Sequence, residues 1–166
     1  MANTGSTGSR KNLSTVHSKD TLHCLLIGLQ QVKILLPNTA VAEVIAYTLP
    51  EAIENVPEWF LGNIIWREEK IPLLSFELLS GKGSQEHTVS RIAVLNTLDG
   101  NPQLPYIAIL IDGIPQLRLI QESNIVVTED DSGNDVVAAS IDLFGETVLI
   151  PDIDGLEQCL RNLASI

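Results

Sequence analysis

Aromatic side chains are scarce in this chain: three Phe, two Trp and two Tyr make up 4% of it. Any interior must therefore be packed by aliphatic residues. Cysteine is nearly absent too, with only Cys24 and Cys159, in no CxxC and no Cys/His cluster. That spacing excludes a zinc finger or a redox dithiol. Both thiols lie in apolar segments and are expected to be buried, and a disulfide would require the first strand to meet the last helix. No apolar run approaches the roughly 20 residues that span a membrane. The first twenty residues lack the apolar core of a signal peptide, so a cytoplasmic location without membrane insertion is the expectation. Basic residues are few: ten Lys and Arg against 21 Asp and Glu, for a net charge of −11. Arg10, Lys11 and Lys19 belong to the first twenty residues, which leaves the body more acidic still. Such a surface does not suit nucleic acid, whose binding depends on cations, or anionic lipid. It modestly favours a basic protein partner.

Catalytic signatures are missing as well. The chain holds no GxxxxGK[ST], GxGxxG or GxSxG. Its three histidines are His17, His23 and His87, and a surface position explains His23 more simply than general-base work. Most acids fall in loops, where solvation is the default, and Asp152 and Asp154 precede a helix, which makes capping a better explanation than a metal. No enzyme activity, metal or cofactor is expected.

What remains is a chain with 45% hydrophobic residues, enough for a sizeable core. Residues 1–20 are rich in Gly, Ser, Thr and Asn, which predicts a flexible tail. From there the pattern is short strands with frequent turns, and this points to barrels rather than a parallel sheet. Leu22–Leu29 and Val32–Leu36 predict a hairpin, Thr39–Ala42 a helical turn and Glu43–Tyr47 a third strand. Pro57–Leu61 predicts a brief helix. Ser75–Leu79 predicts another, ended by Gly81. The strands up to Leu74 would form a first lobe. Val89–Asn96, Leu104–Ile111 and Ile114–Ile120 follow, with Asp99-Gly100 and Asp112-Gly113 as hairpin turns. Residues 129–135 predict an exposed acidic loop. Val136–Leu143 and Glu146–Ile150 would pair across Phe144-Gly145, and Asp152 or Asp154 would cap a helix running to Leu163.

The most informative stretch runs from Trp59 to Phe76. It predicts two strands, with Gly62 allowing a close backbone approach or an unusual dihedral, Ile64, Ile65 and Trp66 continuing the first strand, and Arg67-Glu68-Glu69-Lys70 as an exposed turn. Val56-Pro57, Gly62, Ile64-Ile65, Arg67 and Ile71-Pro72-Leu73-Leu74 together resemble the signature of the CheW-like family, the adaptor domains of bacterial chemosensory arrays. The segments Ile34–Ile45 and Gly145–Asp154 agree in order and spacing, and the resemblance covers roughly residues 21–163. It implies a mainly β fold of two five-stranded SH3-like barrels, interleaved around a shared core, with short helices and a C-terminal helix. It also implies a non-catalytic scaffold that couples the cytoplasmic tip of a chemoreceptor to the regulatory domain of a histidine kinase.

The resemblance assigns partner contacts residue by residue. Glu43 and Arg67 occupy positions where the family carries a facing acid and arginine, and the bland alternative is a weak surface ion pair. Val41, Val44 and Ile45 would line an apolar groove for a receptor helix, or else lie in the interior. Trp59, Phe60 and Trp66 fall within eight residues; core packing explains at least one of the three, and Trp66 is favoured as the exposed anchor. Two positions depart from the family pattern: Glu68 stands where Gly is usual, and Trp66 replaces a small aliphatic. With these departures the chain is similar to the ChpC-type branch, which accompanies the chemosensory system of type IV pili and twitching motility. Two alternatives stay open, a small-ligand-binding or enzymatic barrel using the interlobe cleft, and a divergent adaptor for another protein.

Overall fold

The computed structural model describes residues 21–83, 91–128 and 133–164. The tail expected over 1–20, the start of the strand expected at Val89 and most of the acidic loop expected over 129–135 lie outside the described residues. Strands β1 (Thr21–Gly28) and β2 (Lys33–Pro37) form the expected hairpin, with Cys24 opposite Pro37 and Gly28 opposite Lys33. A 3-10 turn at Asn38–Ala40 leads into β3 (Val41–Ala46), so the helical turn comes one residue earlier than its sequence suggests. Val41 has already joined the sheet there, opposite Leu95.

Strands β4 (Phe60–Trp66) and β5 (Glu69–Leu74) make the second hairpin. No helix forms over Pro57–Leu61. Instead the Phe60 N–H donates to the Pro57 carbonyl in a single turn, and the Trp59 carbonyl accepts from Ser75 N–H, which draws the chain into the sheet. Helix α1 (Phe76–Leu79) is capped by the Ser75 hydroxyl, which accepts from Leu78 N–H at 3.3 Å. Then come β6 (Arg91–Asn96), β7 (Tyr106–Gln121), a 3-10 turn at Glu122–Asn124, β8 (Val126–Thr128), β9 (Val137–Leu143), β10 (Glu146–Pro151) and helix α2 (Ile153–Ala164). Asp152 is the cap of α2, accepting from Gly155 N–H at 3.1 Å.

Asp112-Gly113 is not a hairpin turn. Gly113 does take the left-handed φ of 72° that its sequence suggests, but the chain continues forward as one 16-residue strand. The residue pair makes a bulge: Leu26 and Gly28 of β1 oppose Gln116 and Asp112 of β7, so two steps on one strand span four on the other. Before the bulge, β7 pairs antiparallel with β6 and in parallel with β5; from Asp112 onward it pairs with β1.

This strand divides the fold. The first lobe holds β3, β6, the leading half of β7, β5 and β4; the second holds the trailing half of β7 with β1, β2, β10, β9 and β8. The first two strands therefore do not belong with the next three, as their order suggests. A short parallel pairing, Lys33 with Val148 and Ile34 with Leu149, ties them to β10 at the far end of the chain.

Strand alternation then builds three apolar cores. Ile92 and Val94 point into the first barrel while Ala93 and Leu95 point the other way, into a core shared by both lobes and α2. On β2, Leu35 fills the second barrel while Ile34 and Leu36 join the shared core. Strands covered on both faces read as continuous aliphatic runs, which accounts for the hydrophobic content without aromatics. Two acids are buried rather than solvated: Glu77 accepts from Gln31 N–H at 2.6 Å, and Glu157 of α2 accepts from Leu98 N–H at 2.5 Å. Each ties a helix to a distant loop.

Gly62 meets both needs expected of it. Its φ is 124°, and an added Cβ would overlap the Glu51 carbonyl oxygen. Glu51 is held there by a two-way backbone pairing with Asn63, which folds the 48–58 loop over the free edge of β4. Gly62→Ala is expected to lower the unfolding free energy by about 3 kcal/mol, from steric overlap and dihedral strain together. Urea denaturation followed by far-ultraviolet circular dichroism measures it, and a loss below about 1 kcal/mol would mean the loop simply moves aside.

Candidate functional site

In the first lobe β3 pairs only with β6 and β4 only with β5. Among the described residues, no backbone ladder joins β3 to β4, and side chains cross the seam instead. The Trp66 indole N–H, at the end of β4, donates to Glu43 Oε2 on β3 at 2.7 Å. Arg67 Nη2 reaches the same oxygen at 3.4 Å, and its guanidinium lies 4.5 Å from the Trp66 ring centroid. Tyr106, at the start of β7, meets that ring edge-on at 4.8 Å. Glu43, Trp66 and Arg67 are thus brought together as one cluster. Tyr106 is the member that sequence reasoning misses; its one signal is a lone aromatic opening an aliphatic strand.

Trp66 is not the exposed anchor. Only 6% of it is accessible, whereas its neighbour Ile65 is 67% exposed. The bulge at Gly62 sets the phase of β4, turning Ile64 and Trp66 inward and Ile65 outward. Phe60 is buried and Trp59 half-buried, in edge-to-face contact at 6.2 Å.

The three β3 aliphatics are half-buried and do not share a face. Val41 and Val44 pack on the shared core while Ile45 packs on the first-barrel interior, because the register of β3 shifts between Val41 and Glu43. They do not form one groove wall.

The turn after Trp66 is shorter than expected. Only Arg67 and Glu68 form it; Glu69 and Lys70 pair with Trp66 and Ile65 inside the sheet, and Lys70 bonds Glu51 at 2.7 Å. Both turn residues have left-handed φ, 49° and 67°, the pattern of a two-residue hairpin turn that favours Asn-Gly. The Glu43–Arg67 pair itself is well exposed, 42% and 67% by side chain, and an isolated pair of this kind contributes about 0–1 kcal/mol.

A cavity of about 580 Å³ opens elsewhere, between β4, β5, the 101–105 loop and α2. Its two cations each carry a carboxylate, Lys70 on Glu51 and Arg161 on Asp99, rather than converging on a shared point. Among the described residues no cluster of three or more His, Cys, Asp or Glu side chains could hold a metal, and no helix is long and apolar enough to cross a membrane. Cys24 and Cys159 are both free thiols, and burial pushes each above the ordinary value, with Asp135 adding to the effect at Cys159.

The chain is a mainly β double barrel whose first-lobe seam is bridged by a charged and aromatic side-chain cluster. A family model for the CheW-like domain matches residues 23–159. The chain belongs to the CheW-like domain family, whose members are non-catalytic scaffold proteins of chemotaxis signalling. The fold is similar to the crystal structure of the scaffolding protein TtCheW from Thermoanaerobacter tengcongensis, with a TM-score of 0.67 at 18% identity, covering 83% of this chain and 88% of that one. No curated protein matches the chain.

Because an L-residue with left-handed φ is disfavoured, Glu68→Gly is expected to raise the unfolding free energy by about 1 kcal/mol. Thermal unfolding would register this as an increase in Tm. No increase would mean that Glu68 makes a compensating interaction.

Proposed function

We propose that this protein is a cytoplasmic adaptor that couples the tip of a chemoreceptor to the regulatory domain of a histidine kinase, in the chemosensory system that controls type IV pili and twitching motility. The observation that carries this reading is the Glu43–Trp66–Arg67 cluster, set across the open seam of a CheW-like double barrel. Glu43 and Arg67 are the partner contacts, and Ile65 and Leu49, 67% and 82% exposed, supply apolar surface on the same lobe. Val41, Val44 and Ile45 act from behind this surface by fixing β3. The adaptor places the kinase and carries no phosphate itself. An acidic body with few cations restricts which partners approach, and a basic partner face suits it.

The pilus branch is supported by the more negative turn, with Glu68 where Gly is usual, and by Trp66 at the end of β4 where a small aliphatic is usual. The same departures favour a second reading, an adaptor whose partner is a different protein.

Titration calorimetry against the regulatory domain of the pilus-system kinase from the same organism tests the first reading. Saturable binding is expected, with Arg67→Ala, checked for folding, weakening it about tenfold, or about 1.4 kcal/mol. No heat of binding by the folded wild type up to about 100 μM would sink the kinase link and leave the second reading.

A further inference from the structure

An ion pair between two long, exposed side chains ordinarily samples many arrangements, because holding both costs rotamer entropy. The pair at the β3–β4 seam differs, since its acid is gripped by a third group from below. We infer that Trp66 is a positioning residue: without meeting the partner, it locks Glu43 and Arg67 into the single arrangement that the partner reads.

Four observations carry this. Trp66 is buried, so its ring is no contact surface. A buried indole N–H requires an acceptor, and Glu43 Oε2 supplies it at 2.7 Å, so this bond is hard to give up. The Arg67 guanidinium lies on the same ring, and the left-handed φ of Arg67 removes it from strand alternation so that its side chain can fold back there. Tyr106 braces the ring from β7, which fixes the cluster to the strand common to both lobes.

The lock also determines what is presented outward. Glu43 Oε2 takes both donors, Trp66 and Arg67. Among the described residues its Oε1 has no partner, nor have Arg67 Nε and Nη1. The surface therefore offers one acceptor beside free guanidinium N–H groups at a fixed separation. Its complement is a carboxylate that accepts from a free guanidinium N–H, next to a single donor for Glu43. This inference rests on the adaptor reading, and it names the chemistry of the contact on the partner: an acid–donor pair.

Nitrogen-15 NMR of the full chain tests it, beside calorimetry with the kinase regulatory domain. The chain has two tryptophans, so two indole N–H signals are expected, and Glu43→Ala should move only that of Trp66. In the wild type, the Arg67 Nε–H should show a heteronuclear NOE close to the backbone mean. Trp66→Phe keeps a ring beneath Arg67 but deletes the N–H. It should lower that NOE and weaken kinase binding about fivefold, while far-ultraviolet dichroism stays unchanged. An Arg67 signal already as mobile as a free side chain in the wild type overturns the positioning role, whether or not the variant folds. So does folded Trp66→Phe with unchanged NOE and affinity. If the wild type fails to bind the kinase domain, the adaptor reading falls, and the wild-type NOE and the Glu43→Ala spectrum still decide on Trp66.

Discussion

Everything in this molecule hangs on the hydrogen bonding of β7. Its leading half completes the first barrel by pairing with β5 and β6, and its trailing half completes the second by pairing with β1. Neither barrel has a full set of strands without it. The shared core adds a second tie, since Ile107 and Ile109 of β7 pack there with Leu36, Leu149 and Leu156 from the second lobe and α2. Two lobes that share a strand and a core cannot be pulled apart by sliding an interface. The molecule is two barrels built on one strand and one core.

The shared strand and core also hold a slight surface feature in place. The seam between β3 and β4 has no ladder, and the cluster across it involves one carboxylate, one indole and one guanidinium. On a floppy scaffold such a group would average out. Here β3 is held by β6, β4 by β5 and Tyr106 by β7, so all three sides of the cluster descend from the same sheet. Electrostatic context sharpens it further, because a fixed guanidinium stands out on a chain with twice as many acids as bases.

Local rules made much of this legible. The β1–β2, β4–β5 and β9–β10 hairpins, the Asp152 cap of α2 and the role of Gly62 follow from short-range chemistry that the chain carries on its face. Asp112-Gly113 misleads because the same dipeptide suits a hairpin turn or a bulge, and the choice is made by β1, more than eighty residues upstream. The allegiance of β1 and β2 is equally silent, since a two-pair parallel contact with β10 leaves no local mark. The sequence misleads at Trp66 for a different reason: its orientation is set by the phase of β4, and the bulge at Gly62 fixes that phase. The burial of Glu77 and Glu157 leaves no local mark, because the N–H groups that donate to them lie 46 and 59 residues away.

Strand β1 begins at Thr21, directly opposite Gln121 at the end of β7. The polypeptide thus enters the fold on the second lobe, while the seam cluster lies on the first. A fluorescent protein or affinity handle joined ahead of Thr21 would leave from the lobe that does not bear Glu43 and Arg67.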